Sequence, residues 1–304
     1  MLPQCSLCLQ HRQLRVSHIL PKFVVSWLKK NTPGRLRKGD IPNRRTQDTD
    51  KMLLLCDTCE GMLSKWETVF AEKVFIPVHA GELSQGPISY GSWAMKCLAS
   101  ISWRVLLFHS LSQGLPNLRD QHVIEESKRA LEKLRLFIMN EIPSPEPYGQ
   151  HLLPMEIVMD HTMPKVSPFL NRYIVSTLDH DVIGSKDSAY TYSKLGTLLL
   201  FGEILEPLAH EWNGTRLAIN EGTLRIQKYS IPIRIWNFIN DRSNLVAQLS
   251  SQISNTQQKT IESSMQKDSN KLASSKLAQA MEADIHFCGG EAFDITKSKN
   301  EKKE

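Results

Sequence analysis

Cys5 with Cys8 and Cys56 with Cys59 form two Cys-x-x-Cys pairs, and together they take four of the six cysteines in the chain. Two residues between paired cysteines let one tight turn offer both sulfurs to a single ion, and two such turns complete a tetrahedral thiolate shell. The 47 residues between the pairs (9–55) exceed ordinary finger spacing, so a hairpin and a loop are expected between the two knuckles. A redox dithiol is the competing reading of either pair taken alone. Two pairs within the first 60 residues of a cysteine-poor chain favour structural Zn2+ held by Cys5, Cys8, Cys56 and Cys59. Cys97 and Cys288 stand apart from both pairs.

Disulfides are not expected of a chain that stays in a reducing compartment. The start, Met-Leu-Pro-Gln-Cys, has neither the basic residues nor the apolar stretch of a secretory leader. No uncharged apolar run reaches the roughly 18 residues needed to span a bilayer. A cytoplasmic chain with no membrane segment is therefore expected. Its 304 residues exceed the usual single domain, and its formal charge of +5 permits a polyanionic partner without requiring one.

Hydrophobic periodicity divides the chain into four segments. Residues 1–78 read as the zinc module, ending in a helix on which Leu63, Trp66, Val69, Phe70 and Val74 share a face until Pro77 closes it. Residues 79–142 read as helical, with a buried helix over 92–112 and an amphipathic one over 121–139. The prolines at 143, 145 and 147 then break the chain. Over 143–250 an α+β domain is expected. Strands are read at 155–159, 173–178, 198–201, 216–219 and 224–229, turns at Asn213-Gly214 and Glu221-Gly222, and a helix over 232–249. Apolar residues thin out over 251–304, which reads as a polar, flexible tail. The fold class expected is α+β: an N-terminal ββα-metal module, a helical segment, and a mainly antiparallel β domain.

Between the knuckles lies Ser17-His18-Ile19-Leu20-Pro21-Lys22-Phe23, and Leu53-Leu54-Leu55 leads directly into Cys56. The order Cys-x-x-Cys, His-Ile-x-Pro, Leu-Leu-Cys-x-x-Cys and then a helix resembles the HNH, or His-Me finger, nucleases in their treble-clef zinc form. The resemblance covers about the first quarter of the chain. It implies a metal-dependent endonuclease acting on DNA, in bacterial defence or a mobile element. His18 would be the general base, and Mg2+ or Mn2+ would stabilise charge at the scissile phosphate. The sequence departs from the family at three positions. Ser17 stands where an acid or histidine commonly precedes the base, Lys51 falls near the central asparagine, and Glu60 replaces the histidine after the second Cys-x-x-Cys. Glu60 is a competent hard-oxygen ligand, Glu67 a more distant helper, and Lys51 suits a phosphate. The alternative is a catalytically degenerate zinc module that binds nucleic acid or a protein partner.

Lys22 and the stretch Lys29, Lys30, Arg35, Arg37, Lys38, Arg44 and Arg45 supply positive charge with Asp40 the one acid in that stretch, as sequence-independent phosphate binding requires. An ordinary solvated loop would have the same composition. Asp160-His161 and Asp179-His180-Asp181 read as polar strand ends in preference to a second metal cluster, and Trp93, Trp103, Trp212 and Trp236 as core or interface anchors. His286 and Cys288 lack a partner pair. A protein partner, or self-association through the C-terminal domain, is the remaining expectation.

Overall fold

The computed structural model describes residues 2–31, 48–112, 114–115, 118–156, 166–250 and 275–292, with scattered positions between 252 and 273. The chain mixes helix and antiparallel sheet, the α+β class expected. Its contacts gather into two discontinuous units, one of 1–23, 49–154 and 179–230, the other of 24–48, 155–178 and 231–304. The units thus interleave along the chain instead of following consecutive segments.

In the first unit, β1 (Leu14–His18) pairs antiparallel with β2 (Lys51–Cys56), and the register sets His18 opposite Lys51 and Val16 opposite Leu53. α1 (Lys22–Asn31) follows β1 and is divided between the two units; Val24, Val25 and Leu28 are its buried residues. α2 (Asp57–Phe70) leaves β2 with no intervening loop. Pro77 does not close this helix. The coil widens into a π turn over Ala71–Phe75 and runs on as α3 (Ile76–His79), with Pro77 in the first turn of the new segment. That position tolerates a residue lacking N–H.

β3 (Ile88–Tyr90) precedes α4 (Ser92–Ser112), a helix buried on nearly every side from Ala94 to Leu106. A helix apolar all round belongs at the centre of a core. α4 packs on α2, on α5 (Gln121–Ile138), and on a four-stranded sheet of β4 (Gln150–Pro154), β5 (His180–Gly184), β6 (Ala189–Leu195) and β7 (Leu198–Leu205). The strand order is β4-β7-β6-β5, antiparallel throughout. β8 (Gly222–Leu224) pairs with β3 in a separate two-stranded sheet. Trp103 and Trp212 are buried, as core anchors should be.

The expected helices over 92–112 and 121–139 and the strand over 198–201 coincide with α4, α5 and β7. Other strands shift. The strand expected at 155–159 lies one segment earlier as β4, with 157–159 outside the described residues. The expected strand at 216–219 reduces to a single bridge of His151 to Arg216, and the one at 224–229 to the short β8.

In the second unit, residues 173–178 are not a strand. They fall largely within α6 (Leu170–Ser176), whose buried Leu170, Asn171, Tyr173, Ile174 and Val175 pack against α7 (Ile233–Ser250) and α8 (Lys276–Cys288). The Asp284 carboxylate of α8 fixes the helix by accepting from the backbone N–H groups of Asn171 (2.9 Å) and Arg172 (3.2 Å) and from Arg172 Nε (2.8 Å). The segment expected as a flexible polar tail therefore contributes a helix with buried Ala280, Ala283 and Asp284. Trp236 of α7 is also buried. Among the described residues no helix is long and apolar enough to cross a membrane.

β6 buries a full lysine. Lys194 is wholly enclosed, its Nζ donating to the Gly196 carbonyl at 2.9 Å, and burial lowers its pKa to about 7 despite the nearby Asp179 carboxylate. Gly196 opens the two-residue β6–β7 turn at φ 62°, where a Cβ would stand 2.3 Å from His79 Nε2. The unfolded lysine titrates near 10.5, so between pH 7 and pH 10.5 the unfolded chain holds more protons than the folded one. Stability should rise with pH across that window and lack this contribution below it. Lys194→Met is expected to remove the slope and to raise the melting temperature at neutral pH, as checked by thermal melts from pH 6 to 10; an unchanged slope would refute this account.

Candidate metal centre

The first knuckle is a tight hairpin. Gln4 bridges His11, the Arg12 amide donates to the Pro3 carbonyl at 3.0 Å, and the Cys5 amide donates to Gln10 O at 2.9 Å. Leu9 takes the left-handed conformation (φ 59°) that lets its N–H return to Cys5 O at 2.9 Å. The turn is held to β2 by Ser6 N–H donating to Leu54 O at 3.0 Å. The second knuckle needs no separate turn: Cys56 ends β2 and caps α2, and Cys59 lies in the first helical turn.

The four sulfurs converge as the spacing requires. Their Sγ atoms all lie within 4.8 Å of one another, and those of Cys8 and Cys56 are 3.8 Å apart. Tetrahedral Zn–S bonds of about 2.3 Å give sulfur separations of about 3.8 Å, so the donor set fits a metal such as zinc. Cys5, Cys56 and Cys59 are buried and Cys8 is partly exposed. Burial raises the Cys5 thiol, but donors from Cys8, Cys56 and Leu7 outweigh it and bring the group to about 7; the Cys56 amide stands 3.3 Å from its sulfur. Burial pushes the Cys8 and Cys59 thiols up. An ion would reverse that preference by binding the thiolates.

His18 occupies the end of β1 remote from the cysteines, partly exposed, with exposed Lys51 across the ladder. Ser17 is fully buried, and its hydroxyl donates to Glu60 Oε1 in the first turn of α2. Glu60 therefore reaches the residue next to His18. The carboxylate of Glu67, the more distant acid, is bound to Arg104 Nη2 of α4 at 2.5 Å. Arg104 Nη1 also donates to the His18 carbonyl at 2.9 Å. Sequence reasoning missed this contact; the one signal for it is an arginine standing alone within the apolar face of α4.

Lys22, Lys29 and Lys30 are exposed on α1, the latter two in its last turn, where positive charge also suits the helix dipole. Arg35, Arg37, Lys38, Arg44 and Arg45 lie outside the described residues, as do Asp160 and His161. The Asp179-His180-Asp181 run opens β5, the strand end expected of it. There His180 Nε2 lies 3.4 Å from Asp50 and its Nδ1 3.1 Å from His109 Nε2. His286 and Cys288 close α8. Among the described residues, the four cysteines are the only group of three or more His, Cys, Asp or Glu side chains placed to hold a metal ion. No family model, curated protein or solved structure matches this chain.

Proposed function

We propose that the four cysteines hold a structural zinc ion and that the ββα unit built on them is an HNH-like site hydrolysing phosphodiester bonds in DNA. The hydrogen bond of Ser17 to Glu60 carries this reading: it brings a helix-borne carboxylate to the residue beside His18, at the end of β1 where the motif sets a general base. On this reading the His18 imidazole takes the proton of the attacking water, and Lys51, opposite it in the ladder, contacts a phosphate oxygen. Glu60 and the Ser17 hydroxyl would hold Mg2+ or Mn2+, since magnesium sites commonly use one or two carboxylates and complete their shell with water and phosphate. The ion would supply charge stabilisation at the phosphate. Lys22 and the basic residues that follow it would give sequence-independent affinity.

A specific observation favours the second reading, a zinc module that binds nucleic acid or protein without cleaving. Glu67 is taken by Arg104, and among the described residues the acid bonded to Ser17 is Glu60 alone. Plasmid nicking in magnesium or manganese separates the two. For the nuclease, His18→Ala is expected to lose activity by a factor of about 100 or more with its zinc content unchanged. Equal behaviour of mutant and wild type, or DNA binding with no nicking by either, would replace the nuclease with the binding module.

A further inference from the structure

We propose that Arg104 is the positioning residue for His18. Its side chain is 3% exposed, and the guanidinium reaches three elements at once: Nε donates to Ser100 O of α4 at 3.3 Å, Nη1 to the His18 carbonyl of β1 at 2.9 Å, and Nη2 to Glu67 of α2 at 2.5 Å. A buried cation needs such company, since one left unpaired is strongly destabilising. This pairing does more than satisfy charge. The planar guanidinium fork holds its donors in fixed directions, so the His18 carbonyl is tied to a rigid central helix instead of to the hairpin alone. The terminal residue of a two-stranded ladder would otherwise fray. The facing strand is held from the same helix: Asp50, whose carbonyl accepts from Ile19 N–H at 3.0 Å, reaches His180, and His180 reaches His109 of α4. Arg104 thus fixes the main chain of His18 relative to α2, the helix that carries Glu60.

The catalytic consequence rests on the nuclease reading, whereas the positional one does not. Three variants of the full zinc-loaded chain test both: Arg104→Lys, Arg104→Met and Glu67→Gln. The readouts are His18 and Ile19 amide and imidazole resonances by NMR, zinc content, and nicking kinetics. Arg104→Met should move the His18 and Ile19 resonances while those of Cys5 and Cys59 stay in place, and should lower kcat about 10- to 100-fold with little change in KM. Arg104→Lys should recover part of both effects. Glu67→Gln keeps the bond to the His18 carbonyl and should leave the His18 resonances near wild type. His18 resonances unmoved in Arg104→Met, or moved as far in Glu67→Gln, would overturn the proposal. If Arg104→Met does not fold, the same comparison is made between Arg104→Lys and Glu67→Gln, and equal shifts in those two overturn it. If the wild type does not nick DNA, the nuclease reading falls and the resonances alone decide the positioning role.

Discussion

Replacing Cys56 by serine is expected to abolish metal binding by the four-cysteine site and to unfold the β1–β2 hairpin with the first turns of α2. Cys56 does three things at one position: it ends β2, caps α2, and donates its backbone N–H to Cys5 Sγ. A serine hydroxyl is a far poorer soft ligand, so the tetrahedral shell loses a quarter of its donors. Zinc binding to small finger peptides supplies about 10–16 kcal/mol at neutral pH, and that free energy is also folding free energy. The buried apolar residues closest to the knuckles in sequence, Leu7, Leu54, Leu55 and Leu63, are too few to replace it. Wild-type protein should contain about one equivalent of zinc by elemental analysis, and Cys56→Ser well under half of that. Hydrogen exchange in the variant should become fast in β1, β2 and the start of α2. α4 and the four-stranded sheet have their own core in Leu98, Ile101, Leu152, Leu199 and Phe201 and should remain protected. Cys97→Ser, a change at the lone buried cysteine of α4, should keep its zinc. Full metal content in Cys56→Ser would remove the basis for the N-terminal site, and a strong chelator should reproduce the variant's exchange pattern in the wild type.

The same residues show why some of the structure can be read in the sequence and some cannot. Cys-x-x-Cys spacing is a local property tied directly to ligand geometry, so four scattered positions identify one site. α4 is legible for a similar reason: apolar residues recurring at helical spacing over 21 residues, a span too long for a strand, leave few alternatives. α6 is not, because its Tyr173, Ile174 and Val175 suit a strand equally well. What makes it a helix is a carboxylate more than 100 positions later, Asp284, which binds its first-turn amides. β6 escapes notice because it buries Thr191, Ser193 and Lys194, residue types that alternation assigns to solvent. The bond of Arg104 to Glu67 joins two helices, and nothing in either local pattern announces it. Long-range polar pairs of this kind carry no period, so they become visible only once the fold is known.

Glu203 illustrates the energetic weight of such pairs and supports the second large expected effect. The carboxylate lies in β7, 4% exposed. Its Oε1 accepts from His151 Nε2 and Arg216 Nη1, both at 3.0 Å, and its Oε2 accepts from the Gly149 amide at 2.8 Å. Gly149 permits that approach, since a Cβ there would stand 2.5 Å from the carboxylate. His151 is buried and stacked on Trp212 at 4.0 Å, with its other nitrogen on Thr215 Oγ1 at 2.9 Å. Glu203→Ala would leave three donors facing a cavity, and breaking a buried charged pair typically costs about 3–5 kcal/mol. For a domain of this size that corresponds to a fall in melting temperature of roughly 10 °C. Glu146→Gln removes only the exposed partner of Arg216 and should cost less than about 1 kcal/mol. The pH dependence follows from the sign of the shift. Burial alone would raise the Glu203 pKa, but His151, Arg216 and the Gly149 amide outweigh it and hold the folded value below the ordinary 4.5. The group therefore contributes stability that is complete above pH 4.5 and lost as pH falls through the lower folded value. The stability gap between wild type and Glu203→Ala, followed by denaturant melts from pH 7 to pH 3, should be constant at first and then narrow. A gap that widened toward acid would mean that the folded state prefers the protonated carboxyl, and the three donors would then not be holding an anion.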